Sequence, residues 1–266
     1  MTLNSLFKKR INWSADEKVS FETLDRVLLA AAMSIPFENL RILDGTREKL
    51  TKNSLSDKIL VRNEGGLCYE LNGLLYLFLI ENGFDAALVR GIIYDQQHER
   101  WSGTGKTHAA VLIRHEGRTY IADTGFGVNL PLKAVPMDGE IVSSLNGEFR
   151  ILRRETEYGY YILEMKLKHK HGDWKKGYAF NPDETTPNVE NLNDMQTVIH
   201  EHPASPFNKS PLITRLTPSG ALVLTDKSFS EREDGKTVKL DVEDAEFRRL
   251  AKEKFGLNTA GRLTKA

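Results

Sequence analysis

Cysteine is nearly absent from this chain, which has only Cys68 among its 266 residues. A single cysteine excludes an internal disulfide and any zinc site built from several thiolates. Net charge is absent as well, because 37 lysines and arginines balance 37 aspartates and glutamates. Since no overall field would attract nucleic acid or an anionic membrane, we predict neither as a partner.

Long apolar runs are missing too. The longest, from Leu74 to Ile80, is too short to span a bilayer. The first ten residues carry no apolar segment, so we expect no secretory signal. Together with the free thiol, these absences favour a cytoplasmic protein.

Apolar periodicity changes along the chain. Asn12-Trp13-Ser14, directly ahead of Ala15, predicts a capped helix start, and Pro36 predicts the end of that helix. After Gly83 the period becomes that of short strands separated by turns, which favours a small barrel or a curled antiparallel sheet. Further strands and one well-marked helix follow. This order predicts an α+β chain of about three sub-domains.

The surroundings of Cys68 are typical of a reactive thiol. Gly65 and Gly66 precede it and keep bulk away from the sulfur, and helical spacing begins directly after it. At the first turn of a helix, unpaired N–H groups and the helix dipole favour the thiolate. A small apolar residue filling a helix start would leave the same pattern, so the partners of the thiol must decide.

One hairpin supplies both partners that a thiolate nucleophile needs. His108 opens a predicted strand, Glu116-Gly117 turns the chain, and the returning strand ends at Asp123. With a turn of about two or three residues, His108 falls opposite Asp123 or Thr124, and opposed side chains share a face. The pattern predicts a Cys68–His108–Asp123 triad, with an imidazole base and an orienting carboxylate.

Several motifs, in order along nearly the whole chain, resemble those of the arylamine N-acetyltransferases. The nucleophile motif of that family is matched at Gly65, Gly66, Cys68, Glu70 and Asn72. Other matches are residues 35–40, Thr107-His108-Ala109, Asp123 with residues 125–127, Pro131-Leu132, residues 202–207 and residues 255–257. Separate motifs in one order are far more specific than a lone Gly-Gly-x-Cys.

The resemblance implies a helical bundle over residues 1–85 that carries Cys68, an antiparallel β-barrel over 86–190 that carries His108 and Asp123, and an α/β lid over 191–266. It also implies xenobiotic metabolism through ping-pong transfer of an acetyl group from acetyl-CoA to an aromatic amine or hydrazine. By the same resemblance, acetyl-CoA would be the cosubstrate and Cys68 the acetylated residue. Phe37 and Phe126 would line the acceptor pocket, and Gly127 would lie near the CoA tail.

One departure from the family pattern keeps alternatives open. The family usually has arginine just before the glycine pair, whereas this chain has Glu64, whose carboxylate would disfavour a nearby thiolate. We expect Arg62 to compensate by pairing with Glu64. The alternatives are an amide synthase, a transglutaminase-like cysteine hydrolase, and a catalytically silent CoA-binding homologue.

Two other features are weaker signals. His200-Glu201-His202 fits no common metal motif, so we expect no metal. Residues 166–171 form a basic run that Lys175 and Lys176 extend on a predicted hairpin. We favour a solvated strand face for it over contact with CoA phosphates.

Overall fold

Helices fill the first part of the chain. The computed structural model describes residues 2–259. The elements are α1 (Leu3–Arg10), α2 (Phe21–Ser34), β1 (Phe37–Glu38), α3 (Leu40–Leu43), α4 (Lys52–Leu55), a π-helical turn (Ser56–Val61) and α5 (Cys68–Glu81). The apolar side chains of α5 are distributed around the whole helix instead of along one face, and the helix is buried along most of its length. It forms the centre of an apolar core shared with α1 and α2.

The predicted helix start at Ser14 is wrong. The helix begins only at Phe21 and ends before Pro36, as predicted. The segment ahead of it is held as a turn by Lys8, whose ammonium donates to the carbonyl oxygens of Ala15 and Glu17 at 2.9 and 2.8 Å. A contact from the preceding helix therefore overrides the local capping signal.

The middle of the chain is an antiparallel sheet. Its strands are β2 (Asp85–Asp95), β3 (Arg100–Trp101), β4 (His108–His115), β5 (Arg118–Ala122), β6 (Val135–Pro136), β7 (Val142–Ser144), β8 (Gly147–Thr156), β9 (Gly159–Leu167) and β10 (Lys175–Thr186). Their order is β6-β5-β4-β2-β10-β9-β8-β7, with β3 beside β2. The sheet curls until β6 contacts β8, which gives a nearly closed barrel with an apolar interior.

The last part combines helices with a second sheet. Its elements are α6 (Asn193–Glu201), β11 (Leu212–Thr217), β12 (Gly220–Thr225), β13 (Ser228–Glu233), β14 (Lys236–Asp241) and α7 (Asp244–Phe255). The strand order is β1-β11-β12-β13-β14, so a strand from the helical part completes this sheet. One face of the sheet packs on α7, and its other face meets the barrel through Leu216 and Ala221.

The predicted α+β class, with helices first, an antiparallel barrel next and an α/β segment last, is confirmed. Within residues 2–259, no helix is both long enough and apolar enough to cross a membrane. The domain limits at residues 85 and 190 stay predictions.

Candidate active site

Cys68 is the first residue of α5, as predicted. Its side chain is 7% exposed, and its Sγ lies 3.4 Å from the carbonyl oxygen of Thr107, which precedes β4. The Glu70 carboxylate closes the start of the helix by accepting the Leu67 N–H at 2.9 Å. The thiol therefore lies on the seam between the helical core and the barrel.

Glycines let three backbone segments meet at this thiol. A Cβ on Gly65 would lie 2.1 Å from the Pro36 oxygen, and one on Gly125 would lie 2.5 Å from the Cys68 Cα. Gly65 does not have a positive φ, so glycine is required there for the close approach of the two segments and not for a left-handed backbone conformation. Only glycine fits at either position without displacing Cys68 or the segment behind it.

His108 and Asp123 meet through a register that differs from the predicted one. The turn pairs His115 with Arg118, and the last paired residues are Val111 and Ala122. Continued, this register would place Asp123 two residues short of the position opposite His108. A diagonal pair still shares a face, and the His108 Nε2 lies 2.8 Å from the Asp123 Oδ2. The predicted pair is present, although the two residues are not directly opposed.

Asn72 fixes the carboxylate from the helix side. Its amide nitrogen donates to the Asp123 Oδ1 at 2.8 Å and to the Ala109 carbonyl oxygen at 2.6 Å. Its amide oxygen accepts the Thr124 N–H at 2.8 Å, and the Gly125 N–H donates to the Asp123 Oδ1 at 2.7 Å. Asn72 stood in the predicted motif without a role. The structure gives it one, since it joins α5 to the acid behind the histidine.

Burial and charge act in opposite directions on this pair. Burial, the largest single influence, would lower the pKa of His108, but the Asp123 carboxylate and the Cys68 side chain raise it to about 10. Burial would raise the pKa of Asp123, but His108, Asn72 and the Gly125 N–H hold it below its usual value. At neutral pH the pair is an imidazolium beside a carboxylate.

A mostly apolar cavity of about 410 Å³ opens beside the thiol. Cys68 and His108 of the predicted triad border it, as do the predicted substrate residues Phe37, Phe126 and Gly127. Asp123 lies behind the imidazole. The sequence prediction missed the far wall, which is built by Ile199, Phe207, Leu212, Thr214 and Val223. Those residues follow the barrel by many positions, and no local spacing connects them to Cys68.

Two polar atoms on this cavity have no partner. The Thr214 Oγ1 and the Asn129 Oδ1 are buried and form no hydrogen bond with any group in residues 2–259. A buried polar atom without a partner costs roughly 1–3 kcal/mol, so such atoms are rare unless a bound molecule satisfies them. Thr214 lies on the far wall and Asn129 in the turn after β5, so both sides of the cavity offer a polar ligand a bonding partner.

Comparison with known proteins identifies the family. A family model of N-acetyltransferases matches residues 20–264. The chain is 43% identical over 236 residues to the uncharacterized acetyltransferase YvcN of Bacillus subtilis, covering 89% of this chain and 90% of that protein. The arylamine N-acetyltransferase (BACCR)NAT3 of Bacillus cereus has 41% identity and a TM-score of 0.91, covering 97% of this chain and all of that one. The chain belongs to the arylamine N-acetyltransferase family.

A more distant relative extends the same match. A probable arylamine N-acetyltransferase 3 of Dictyostelium discoideum is 33% identical over 249 residues, covering 84% of this chain and 81% of that protein. The predicted resemblance and the predicted enzyme class, an N-acetyltransferase, are therefore confirmed.

One difference separates this acetyltransferase from its Bacillus cereus relative. The crystal structure of that protein revealed a unique Cys-His-Glu catalytic triad. Here the acid that bonds to His108 is Asp123, whose shorter side chain also accepts from Asn72 and Gly125. Two similar chains thus place different acids beside the histidine.

Glu64, the unexpected residue of this acetyltransferase, has a closer partner than the one we predicted. Arg41 binds it through two bonds of 2.7 and 3.0 Å, whereas the Arg62 Nε stands 3.9 Å away. Arg62 therefore contacts Glu64 only weakly, and it lies closer to Asp57 and Glu48, at 2.7 and 3.1 Å. Arg41 lies 23 residues before Glu64, and pairing between Phe37 and Gly66 brings the two segments together. The Glu64 charge is compensated inside the fold.

A second ionic group supports the start of α5. The Lys58 ammonium contacts Glu70 at 2.5 Å and Glu38 at 3.7 Å, and all three side chains are buried. Burial is the main reason that the pKa of Glu38 is raised. Across residues 2–259, no group of three or more histidine, cysteine, aspartate or glutamate side chains is arranged to hold a metal ion.

Proposed function

We propose that this chain transfers an acetyl group from acetyl-CoA to an aromatic amine or hydrazine through a thioester on Cys68. The observation that carries the proposal is the buried contact of 2.8 Å between His108 and Asp123 on the same cavity as the thiol. A histidine with a pKa near 10 is protonated at neutral pH. The imidazolium supports a thiolate on Cys68, and the thiolate is the nucleophilic form.

In the first half-reaction the Cys68 sulfur attacks the thioester carbonyl of acetyl-CoA. A bond forms from the carbonyl carbon to Sγ, and the bond to the CoA sulfur breaks. The departing CoA thiolate takes the proton of the His108 imidazolium, which leaves acetyl-Cys68 beside a neutral imidazole. The N–H of Cys68 stabilises the oxyanion, because the first residue of a helix has no intrahelical acceptor for its N–H.

In the second half-reaction the amine attacks the carbonyl of acetyl-Cys68. A carbon–nitrogen bond forms, the bond to Sγ breaks, and the amine proton passes to His108. Asp123 orients the ring and stabilises the imidazolium that this transfer restores. The thiolate–imidazolium pair is thus ready for another donor molecule.

The cavity supports a flat apolar acceptor. Phe37 and Phe207 meet edge to face with ring centroids 5.6 Å apart, and Phe126 lies 5.3 Å from the His108 ring. Aromatic rings in such arrangements favour an aromatic guest. The unpartnered Thr214 Oγ1 and Asn129 Oδ1 would instead bond the amide groups of the pantetheine arm. Acetyl-CoA as donor, the cytoplasm as location and a role in xenobiotic metabolism belong to the same proposal.

Intact-mass measurement tests the proposal. The protein is incubated with acetyl-CoA, and aniline or phenylhydrazine is then added. We expect one acetyl group on the wild type, its loss on adding the amine, and no adduct on folded Cys68→Ala. Full transfer by Cys68→Ala would contradict the mechanism.

The remaining outcomes separate the alternatives. An adduct lost equally fast without amine would indicate a hydrolase, and an adduct that no simple amine removes would favour an amide synthase. If no adduct forms, the chain is a silent homologue or a hydrolase that does not accept acetyl-CoA. The pairing of Arg41 with Glu64 argues against silencing, because it compensates the charge that prompted that alternative.

A further inference from the structure

A stripe of side chains runs from the Cys68 cavity to the outer edge of the five-stranded sheet. Thr214 and Val223, which line the cavity, are opposite each other on β11 and β12. Val223 is opposite Ser230 on β13, and Ser230 is opposite Lys239 on β14. Directly opposed residues share a face, so these four side chains form one row. With strands about 4.8 Å apart, Lys239 lies roughly 10 Å beyond the cavity wall.

Arg232 lies on the same face as this row. It is two residues along β13 from Ser230 and opposite Ala221, whose side chain packs against the barrel. The face therefore changes character along its length. It is apolar and hydroxyl-bearing beside Cys68, and it is cationic at the rim.

The barrel brings further cations to this rim. The turn between β9 and β10 carries Lys170 and His171, and it meets the turn between β13 and β14, where a Cβ on Gly235 would lie 3.0 Å from the His169 ring. Burial and then the charge of Arg232 lower the pKa of Lys170. Burial, Lys170, Lys175 and Arg232 together lower the pKa of His171. We call Lys170, Arg232 and Lys239 the rim cations.

No carboxylate among residues 2–259 forms an ion pair with a rim cation. Nearby acids are engaged elsewhere, since Glu231 binds Lys254 at 3.5 Å and Glu148 contacts Lys166 at 3.8 Å. Asp173 and Asp234 lie in the two turns without pairing to these residues. Like charges placed together repel one another, so the site favours an added anion.

We propose that the rim cations bind the phosphate groups of the acyl-CoA donor, an inference that rests on the proposed function. Coenzyme A has a thiol at one end of its pantetheine arm and phosphates at the other. The row of Thr214, Val223 and Ser230 joins the nucleophile to the rim on one face of the sheet. Along this face, the Cys68 cavity, the uncharged row and the rim cations follow one another in the same order as the thioester, the pantetheine arm and the phosphates of the donor.

The test compares a donor that carries phosphates with one that lacks them. KM is measured with acetyl-CoA and with S-acetyl-N-acetylcysteamine, for the wild type and for the triple variant Lys170→Ala, Arg232→Ala and Lys239→Ala. Loss of the three charge contacts should raise KM for acetyl-CoA about tenfold. The kcat with acetyl-CoA and the KM for the phosphate-free donor should stay unchanged. The rise in KM with added salt should be shallower in the triple variant.

Lys236 provides a matched control, because it lies on β14 three residues from Lys239 and points to the opposite face. Lys236→Ala should leave KM for acetyl-CoA unchanged, whereas Lys239→Ala should raise it. Equal effects of these two substitutions, or an equal rise in KM for both donors, would overturn the proposal.

Calorimetric binding of CoA and of pantetheine keeps this test separate from acetyl transfer. The triple variant should bind CoA about tenfold more weakly and pantetheine as the wild type does. If the triple variant binds CoA as tightly as the wild type does, the phosphate site is refuted, even if the wild type transfers acetyl groups. If the triple variant loses CoA binding as expected but the wild type transfers no acetyl group, the phosphate site is supported and only the proposed reaction is refuted.

Discussion

Two sets of polar groups around the Cys68 cavity, those that hold Asp123 and those that face the open space, differ in how completely they are satisfied. On the wall formed by α5 and the barrel, Asp123 accepts from Asn72, Gly125 and His108, and all of these contacts are buried. On the wall formed by the five-stranded sheet, the Thr214 hydroxyl has no partner. The carboxylate behind the histidine is fully bonded as it stands, whereas Thr214 on the sheet side and Asn129 on the barrel side each keep a polar atom that a ligand could satisfy.

The difference separates two tasks. Acyl transfer needs charges that are already oriented when the donor arrives, because reorienting them during the reaction would raise the barrier. Donor binding needs groups that are satisfied only in the complex, because an internally bonded hydroxyl offers less to a ligand. Under the proposed function, the bonded group of Asp123 and His108 serves the chemistry, and the unpartnered atoms of Thr214 and Asn129 serve donor recognition.

The strongest way to break the comparison is to remove the charge of Asp123. Asp123→Asn keeps the shape but loses the carboxylate that orients His108, and we expect acetyl transfer to fall by about 10³–10⁴-fold. Asp123→Glu is the matched variant, because it keeps the charge and introduces the acid named for the Bacillus cereus triad. Transfer rates from single-turnover kinetics check both, and equal losses would show that charge is not what matters.

The ion pair of His108 and Asp123 predicts that the free energy of unfolding depends on pH, which Asp123→Asn can test. The pKa of His108 is about 10 in the fold, and that of unfolded histidine is about 6.5. Because the folded value is raised, the stabilisation is fully present below about pH 6.5 and declines as pH rises towards 10. The difference in free energy of unfolding between wild type and Asp123→Asn should shrink over that window, as urea titrations at pH 6, 8 and 10 would measure. A constant difference would contradict the assigned ion pair.

Part of this site could be predicted from the sequence because its signals are local. The start of α5 at Cys68 follows from helical spacing, and the meeting of His108 with Asp123 follows from one hairpin. Even there the register was predicted wrongly, and the pair survived because a shift of two residues keeps both side chains on one face. A shift of one residue would have separated them.

The remainder depends on contacts between segments that are distant in sequence. Arg41 reaches Glu64 only because Phe37 pairs with Gly66, and Thr214 reaches the cavity only because β1 pairs with β11. Neither pairing has a periodic signal, since β1 is two residues long. Lys8 likewise displaced a predicted helix start through carbonyl contacts that composition does not indicate.

Breaking the pair of Arg41 and Glu64 tests whether the stability of the fold near the start of α5 depends on this buried ion pair. Both side chains are at most 10% exposed, so Arg41→Ala would leave Glu64 largely uncompensated, with a stability loss of about 3 kcal/mol. The double variant Arg41→Ala, Glu64→Gln removes both charges and should recover part of the loss. Urea denaturation at pH 7 measures the two, and a double variant no more stable than the single one would contradict a charge effect.

The smallest expected effect sharpens the comparison most directly, because its sign differs between the walls. Thr214→Val replaces an unpartnered hydroxyl with a methyl group, so stability should stay unchanged or rise, while KM for acetyl-CoA rises about threefold. Thr104→Val is the control on the barrel side of the same cavity, where the hydroxyl bonds Ser102 and Thr107 at 2.8 Å each. It should lose about 1 kcal/mol of stability. Thermal unfolding and donor kinetics on both variants would refute the division of tasks if Thr214→Val proved as destabilising as Thr104→Val.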